Sequence, residues 1–469
     1  MLRATILSLC LWAPWVHAAA ESVLTLRVPT LADRDPGAFA ERLPLALDLR
    51  DHAPSTAEGM LWHWQHNIVV RGALALGLEI DEMHLPAGST LRIGDQHWQG
   101  PMQRRHFFTQ HQPGERLFVS LRVPQDQLDT AVLSIREVQA AYRDPFAPVS
   151  AKATDACLVN AACTDTSTSA PWAASVVALI VMNTSSCTGT LVNNSAGDAR
   201  PYLLTARHCY ANTGADAIRA AASLRLAWGS VAACGTPLLS AWSSGAVITE
   251  GAIHRAQSGD TWLVELSQRP PERAAAWFAG LDASDRTPIG PVTGWHHGNG
   301  LQRQRLLSSD GGLLARTADF VGGISLLGWA FAPQEGAAAG GSSGSGLFDA
   351  QGRVIGTLST GVGCSSGKPQ VTYARLAAAW SGDGSVGGSL KPWLDPVNAG
   401  STFAGKSFVG QSLPTLVTPP ATPLSLESET ATAGSWSGWW LLGLAWVRWL
   451  IRGLGVARRR HGLMRRAAG

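Results

Sequence analysis

The chain has 469 residues, 45% of them hydrophobic and 15% charged, which is enough apolar material for two packed cores and excludes a chain disordered throughout. Its formal net charge is +3, but seven arginines (Arg448, Arg452, Arg458, Arg459, Arg460, Arg465 and Arg466) crowd the last 22 residues, so everything before them carries about −4. A nucleic-acid-binding face is thereby excluded.

Residues 1–20 read as an export signal. Met1-Leu2-Arg3 is the positive start, "ATILSLCLWAPWV" the apolar stretch and "HAAA" the small-residue exit, with cleavage after Ala18 or Ala20. Cys10 leaves with this peptide. Six cysteines remain (Cys157, Cys163, Cys187, Cys209, Cys234 and Cys364), and an even count in an exported chain favours disulfides over metal thiolates. No CxxC pair argues for zinc, and no metal or cofactor is expected. From 21 to 152 there is no cysteine, and alternating runs such as "SVLTLRV", "NIVVRGALALGLEI" and "RLFVSLRV" are separated by Pro and Gly turns, the pattern of a small β-sandwich. A second, mainly β unit spans 153–405, with strands in "SVVALIVM", "TWLVEL" and "GRVIGTL" and short helical pieces near 375 and 393. Residues 406–435 form a Pro/Thr/Ser-rich spacer. Residues 436–469 carry "WSGWWLLGLAWVRWLIRGLGV" and an Arg-rich end. The apolar part, 436–457, is long enough to cross a membrane, and the arginines would stay cytoplasmic.

The stretch "GGSSGSGLF" at 340–348 has the composition of a linker, but it runs straight into the strand pattern "GRVIGTLSTG". The alternative is a tight turn presenting a nucleophilic serine. Such chemistry needs a hydroxyl, an imidazole to take its proton, a carboxylate to orient the imidazole and backbone N–H groups aimed at the oxyanion. Ser343 is the hydroxyl candidate, and the amides of Gly341 and Ser343 are the oxyanion donors. His208, at the end of the apolar run in "YLLTARHCY", is the imidazole candidate, with His296 and His297 in "GWHHGNG" as rivals. Asp260, just ahead of the strand in "SGDTWLVELSQ", is the carboxylate candidate. Spacing alone leaves Asp216, Asp282, Asp285, Asp310 and Asp319 open.

"LTARHC", "GDTWLVEL" and "GSSGSG", in the order His208, Asp260, Ser343, resemble a chymotrypsin-type serine protease, specifically its bacterial lysyl endopeptidase branch. "CTGTLVNN" at 187, "FAGLDASD" at 278, "WHHGNG" at 295 and "PWLDPVNAGSTF" at 392 are similar to that branch. The resemblance covers about 157–403. It implies two packed six-stranded β-barrels with the active site between them; with the β-rich, sandwich-like propeptide domain read before them, the expected fold is mainly β. It implies the pairings Cys157–Cys364, Cys163–Cys234 and Cys187–Cys209, and a monomer acting on protein or peptide substrates. Trypsin-like enzymes switch on when a freed N-terminal ammonium pairs with the Asp preceding the nucleophile; here that neighbour is Ser342. Restraint of the zymogen is therefore assigned to residues 21–152, with processing at Lys152 in "SAKATDAC", or at Arg143 as second choice.

In the lysyl branch an Asp two residues before the Tyr of a Tyr-Gly-Arg stretch binds the substrate ammonium. The matching stretch here is "QVTYARL", with Val371 in that place. Glu335, eight residues before Ser343, is the candidate for a substitute charge, and Ser359 a further candidate for the specificity pocket. An apolar or small residue before the scissile bond is favoured over a basic one. The competing functional reading is an inert protease-like fold anchored at the surface as a binding or adhesion module; it predicts a missing triad residue, and none is missing. A metallopeptidase is set aside because no HExxH occurs. The protein is expected to be secreted or held at the cell envelope by its tail, which resembles sorting tails that are anchored or clipped.

Overall fold

The computed structural model describes residues 20–28, 37–51, 56–144, 157–163, 170–243, 245–319, 325–363 and 369–408. All of them lie in one unit, Met1–Pro414. Residues 1–19 of the export segment, Lys152, Cys364, and the 436–457 segment lie outside the described residues. Among the described residues no helix is long and apolar enough to cross a membrane.

The alternating runs before residue 145 form a sandwich. Arg116–Pro124 shows why: Leu117, Val119, Leu121 and Val123 are buried, while Arg116, Phe118 and Arg122 face solvent. It pairs with Leu61–Arg71 and Thr90–Ile93 in a six-stranded sheet. A second sheet of five strands is built on Ala40–Asp48, Val132–Ala141, Ala75–Leu85 and Met102–Phe108. Between the two sheets one core unites Ile68, Val70, Leu91, Leu117, Val119 and Leu121 with Leu78, Ile80, Met83, Leu133 and Val138 of the facing sheet.

The unit after residue 157 contains a seven-segment and a ten-segment sheet. In the first, Val176–Val181, Ser185–Val192, Tyr202–Ala206 and Thr261–Leu266 are successive antiparallel neighbours, flanked by Arg225–Trp228 on one side and Ala252–Ser258 on the other. Val247–Glu250 pairs with Arg225–Trp228, and a single residue, Gly251, separates it from Ala252–Ser258 at the opposite edge. Gly251 has φ +79°, which a residue with a Cβ adopts only under strain. Residues 247–258 are thus one strand bent at Gly251, whose halves join the two ends of the sheet and close it as the expected six-stranded barrel. Every residue of Val176–Val181 is buried, because Val177, Leu179 and Val181 fill the barrel while Val176, Ala178 and Ile180 are covered from outside.

The second sheet runs Gln304–Ser308, Val292–His296, Gly346–Phe348, Arg353–Val362, Gln370–Arg375, Ser325–Phe331 and Leu314–Asp319, with three short segments at its margins. Three of its ten segments, Val159–Asn160, Gly280–Asp282 and Thr402–Phe403, are short additions, and seven strands remain where six were expected. Val292, Leu306, Trp329, Phe331, Leu347, Leu358 and Tyr373 form its core. A separate cluster joins the two sheets: Val192, Tyr202, Leu204 and Leu263 of the first meet Trp295, Phe348 and Val354 of the second. The helical pieces expected near 375 and 393 are Leu376–Ser381 and Lys391–Leu394.

Candidate active site

Strand register brings the imidazole and carboxylate candidates together. Tyr202–Ala206 lies antiparallel to Thr261–Leu266 with Ala206 opposite Thr261, so the residues just beyond Ala206 and just before Thr261 share one end of the ladder. There Arg207 N–H donates to the Asp260 carbonyl at 2.9 Å, His208 N–H donates to Asp260 Oδ1 at 2.9 Å, and His208 Nδ1 lies 2.8 Å from Asp260 Oδ2. An ionised carboxylate only accepts, so Nδ1 carries the proton and Nε2 is the basic nitrogen of the neutral ring. Asp260 is fully buried and His208 nearly so. The Cys187–Cys209 disulfide, Cα–Cα 6.3 Å, ties the residue after His208 to the neighbouring strand. The rival carboxylates are engaged elsewhere: Asp216 caps the helix Ala217–Ala222, Asp282 meets Arg353 and Thr402, Asp285 meets Arg375, and Asp310 accepts from Ser308. Asp319 lies in the edge strand Leu314–Asp319.

Ser343 is in a turn and not in a linker, since Gly346–Phe348 follows it at once as a strand between Val292–His296 and Arg353–Val362. From Gly341 to Asp349 every residue is buried except Ser343, which is partly exposed. Thr188, next to the Cys187–Cys209 bridge, holds this turn at both ends. Its N–H donates to the Ser343 carbonyl and its hydroxyl to the Gly341 carbonyl, each at 2.8 Å. Thr205 in turn donates its hydroxyl to the Thr188 carbonyl at 2.8 Å. A Cβ at Gly344 would come within 2.1 Å of Thr205 Oγ1 and 2.6 Å of Ala206 N, so only glycine lets the turn lie this close to the strand that delivers His208.

The orientation of the two candidate oxyanion donors is set by peptide planarity. Gly340 C=O accepts from Asn299 N–H at 2.6 Å, and Ser342 C=O accepts from Ser345 N–H at 3.2 Å. In a trans peptide the next N–H points the opposite way, so the amides of Gly341 and Ser343 are both turned from these carbonyls. Neither amide has a hydrogen-bond partner among the described residues. Gly341 has φ +94°.

The pocket candidates are placed differently from one another. Ser359 is tied to the carboxylate: its hydroxyl donates to Asp260 Oδ2 at 2.5 Å and it is buried. Glu335 is ion-paired with Arg305, so it is not the unpaired substitute charge that was expected. Val371 is buried in the second core with Phe331, Ala338 and Tyr373, and a Cβ on Gly361 would meet Ala338 at 2.9 Å and Val371 at 3.4 Å.

Cys163 and Cys234 are bonded, Cα–Cα 4.8 Å, as the resemblance implied. Cys157 is also disulfide-bonded, while its expected partner Cys364 lies outside the described residues. No group of three or more metal-ligating side chains occurs among the described residues. The rival histidines have another environment: burial pushes His296 down to about 3 and His297 down to about 4, and His297 Nδ1 lies 2.9 Å from the Leu301 carbonyl. Sequence reasoning missed Thr188 and the partner of Ser359. "CTGTLVNN" carried a signal for the first, as it follows a cysteine expected to bond beside His208, but nothing in the spacing identified its hydrogen bonds.

Residues 151–373 match the family model described as lysyl endopeptidase, C-terminal domain. The chain is 29% identical over 337 residues to a lysyl endopeptidase of Pseudomonas aeruginosa, an alignment covering 67% of this chain and 64% of that protein. The chain thus spans less than two thirds of that relative's length. Among solved structures, the MamO protease domain from Magnetospirillum magneticum aligns with TM-score 0.29 and 14% identity, over 44% of this chain and 94% of that one. The Rv3671c protease from M. tuberculosis, active form, aligns with TM-score 0.29 and 14% identity, over 45% and 80%. Over the residues they cover, the sequence matches make the chain similar to lysyl endopeptidases.

Proposed function

We propose that the protein is an exported serine endopeptidase. Ser343 Oγ attacks the scissile carbonyl carbon while His208 Nε2 takes its proton, and the carbonyl oxygen becomes an oxyanion facing the Gly341 and Ser343 amides. The C–N bond then breaks as His208 returns the proton to the leaving amine. Water repeats the sequence on the acyl-enzyme and restores Ser343. Asp260 holds the imidazole tautomer, and Ser359 and the His208 amide hold Asp260. The observation that carries this reading is the His208–Asp260 pair, 2.8 Å apart and buried, on the strand end against which the Ser343 turn is packed. A serine-directed fluorophosphonate should label Ser343 and nothing in Ser343→Ala, which should also lose turnover altogether. An unlabelled wild-type protein would favour the inert binding module.

Residues 21–152 act in this reading as a propeptide. Its support is a contact with the first barrel: Phe39 and Ala40 N–H groups donate to the Thr184 carbonyl, and Ser186 N–H donates to the Gly37 carbonyl at 2.9 Å. Glu79, fully buried, pairs with Arg219, which also meets Glu137 at 3.1 Å. N-terminal sequencing of the active form should find a start near Lys152, and a mature chain beginning at Glu21 would end the propeptide reading.

The residue before the scissile bond is apolar or small. Val371, Ala338 and Gly361 converge without a charge, and Glu335 is already neutralised by Arg305. A buried ammonium without a partner typically costs several kcal/mol. Peptide-library profiling checks this, and exclusive cleavage after Lys would overturn it. The 436–457 segment is proposed to anchor the protein to a membrane unless it is clipped. Mass spectrometry of the extracellular form tests that, since a freely soluble product retaining Gly469 excludes both fates.

A further inference from the structure

The loop after Val292–His296 touches the Ser343 turn at two points. Ser342 Oγ lies 2.9 Å from His296 Nδ1, both residues being buried, and Asn299 N–H donates to the Gly340 carbonyl. The direction of the first bond follows from its surroundings. Gly298 N–H also points at His296 Nδ1, at 3.2 Å, so Nδ1 is an acceptor and the ring proton sits on Nε2. Ser342 Oγ meanwhile accepts from Ala339 N–H at 3.0 Å, so its own proton goes to His296. Burial, with His297 as a lesser cause, holds His296 down to about 3, so the ring is neutral and able to accept. The Asn299 bond fixes the Gly340–Gly341 peptide plane, and the bonds of the Ser342 hydroxyl to His296 and to Ala339 N–H anchor the residue from which the peptide ending in the Ser343 amide leads on.

We infer that His296 is a positioning residue: through Ser342, and together with the Asn299 amide, it locks the Gly341 and Ser343 N–H groups into the oxyanion-binding orientation without any N-terminal ammonium. This rests on the serine-protease reading and adds to it the means by which the turn is held. The position before the nucleophile is a neutral hydroxyl, and an imidazole 46 residues away in sequence completes it. The turn is therefore set by neutral groups of the two sheets, Thr188 from the first and His296 with Asn299 from the second, independent of where the chain is cut.

The test uses the active enzyme and four variants. His296→Leu and Ser342→Ala each remove one partner; kcat should fall roughly 10- to 100-fold, somewhat less than the loss of a whole oxyanion donor, with KM changed by less than about twofold. His296→Gln, whose amide oxygen can accept in place of Nδ1, should recover most of kcat. The double variant His296→Leu/Ser342→Ala should be no slower than the worse single variant, since both remove one interaction. Selective blocking of the α-amino group of the active form should leave kcat unchanged. Loss of activity on blocking that amine, additive losses in the double variant, or unchanged kcat in Ser342→Ala would overturn the inference. If His296→Leu fails to fold, Ser342→Ala and the amine block still decide. Failure of the wild-type enzyme to be labelled at Ser343 would remove the serine-protease reading and this inference with it, whereas normal labelling with unchanged kcat in the variants would remove the inference alone.

Discussion

The turn that presents Ser343 and the contact between the sandwich and the first barrel are both made of buried polar groups, but the chemistry differs. The turn is held by neutral partners: Thr188, Asn299, Ser342 and a neutral His296. The contact adds charges to its backbone hydrogen bonds, with Glu79 and Glu137 on one side and Arg219 on the other, and Arg42 bonding both Glu137 and the Thr213 carbonyl. Neutral hydrogen bonds keep their geometry across pH and salt. A buried ion pair is more easily undone, because loss of one member leaves the other charged and desolvated. The comparison suits the roles proposed above, a fixed catalytic turn and a propeptide that is removed.

The site does contain one buried charge, Asp260, and removing it is the strongest way to test the contrast. Asp260→Asn should lower kcat by about 10⁴-fold while the protein stays folded, because an amide nitrogen facing His208 favours the wrong tautomer. Steady-state kinetics beside a thermal melt measures both parts, and near-normal kcat would show that another carboxylate serves His208. Next in size, Arg219→Leu leaves buried Glu79 with Arg136, 3.9 Å away, as its remaining ion-pair partner among the described residues. Breaking such a pair costs about 3 kcal/mol or more. The sandwich should separate from the barrel at lower urea in the full chain, with little change in the Cys187–Cys209 region; an unshifted transition would show that the charges do not hold the contact.

The smallest effect is that of acid on the same contact. Burial raises the pKa of Glu137, but the hydrogen bonds and charges of Arg42 and Arg219 outweigh it, and the net direction is below the ordinary 4.5. A carboxylate with a lowered folded-state pKa contributes stability above its unfolded value, and that contribution is lost as pH falls through the folded value. The contact should therefore hold at pH above 4.5 and loosen in stronger acid. His296, already neutral, should leave the turn unchanged over the same range until pH nears 3. Tryptophan fluorescence for the contact and hydrogen exchange read by mass spectrometry at the Ser343 turn, followed from neutral pH down to about 3, separate the two regions, and simultaneous loss of both would erase the distinction.

How much was legible before the structure depended on whether a property is local. The alternation in "RLFVSLRV" and the all-apolar "SVVALIVM" determined their strands, because side-chain period and burial on one or two faces are written into consecutive residues. The order His208, Asp260, Ser343 and the Cys163–Cys234 and Cys187–Cys209 pairings were readable through a resemblance whose motifs stand intact. The partners of those residues were not. Ser359 reaches Asp260 across 99 residues, His296 reaches Ser342 across 46, and Arg305 takes Glu335 across 30. Each of these polar groups has several chemically adequate partners in the chain, and residue type alone cannot choose among them. Strand register and the close approach of the glycine turn bring one partner within about 3 Å and exclude the others, so these assignments were decided only by tertiary structure.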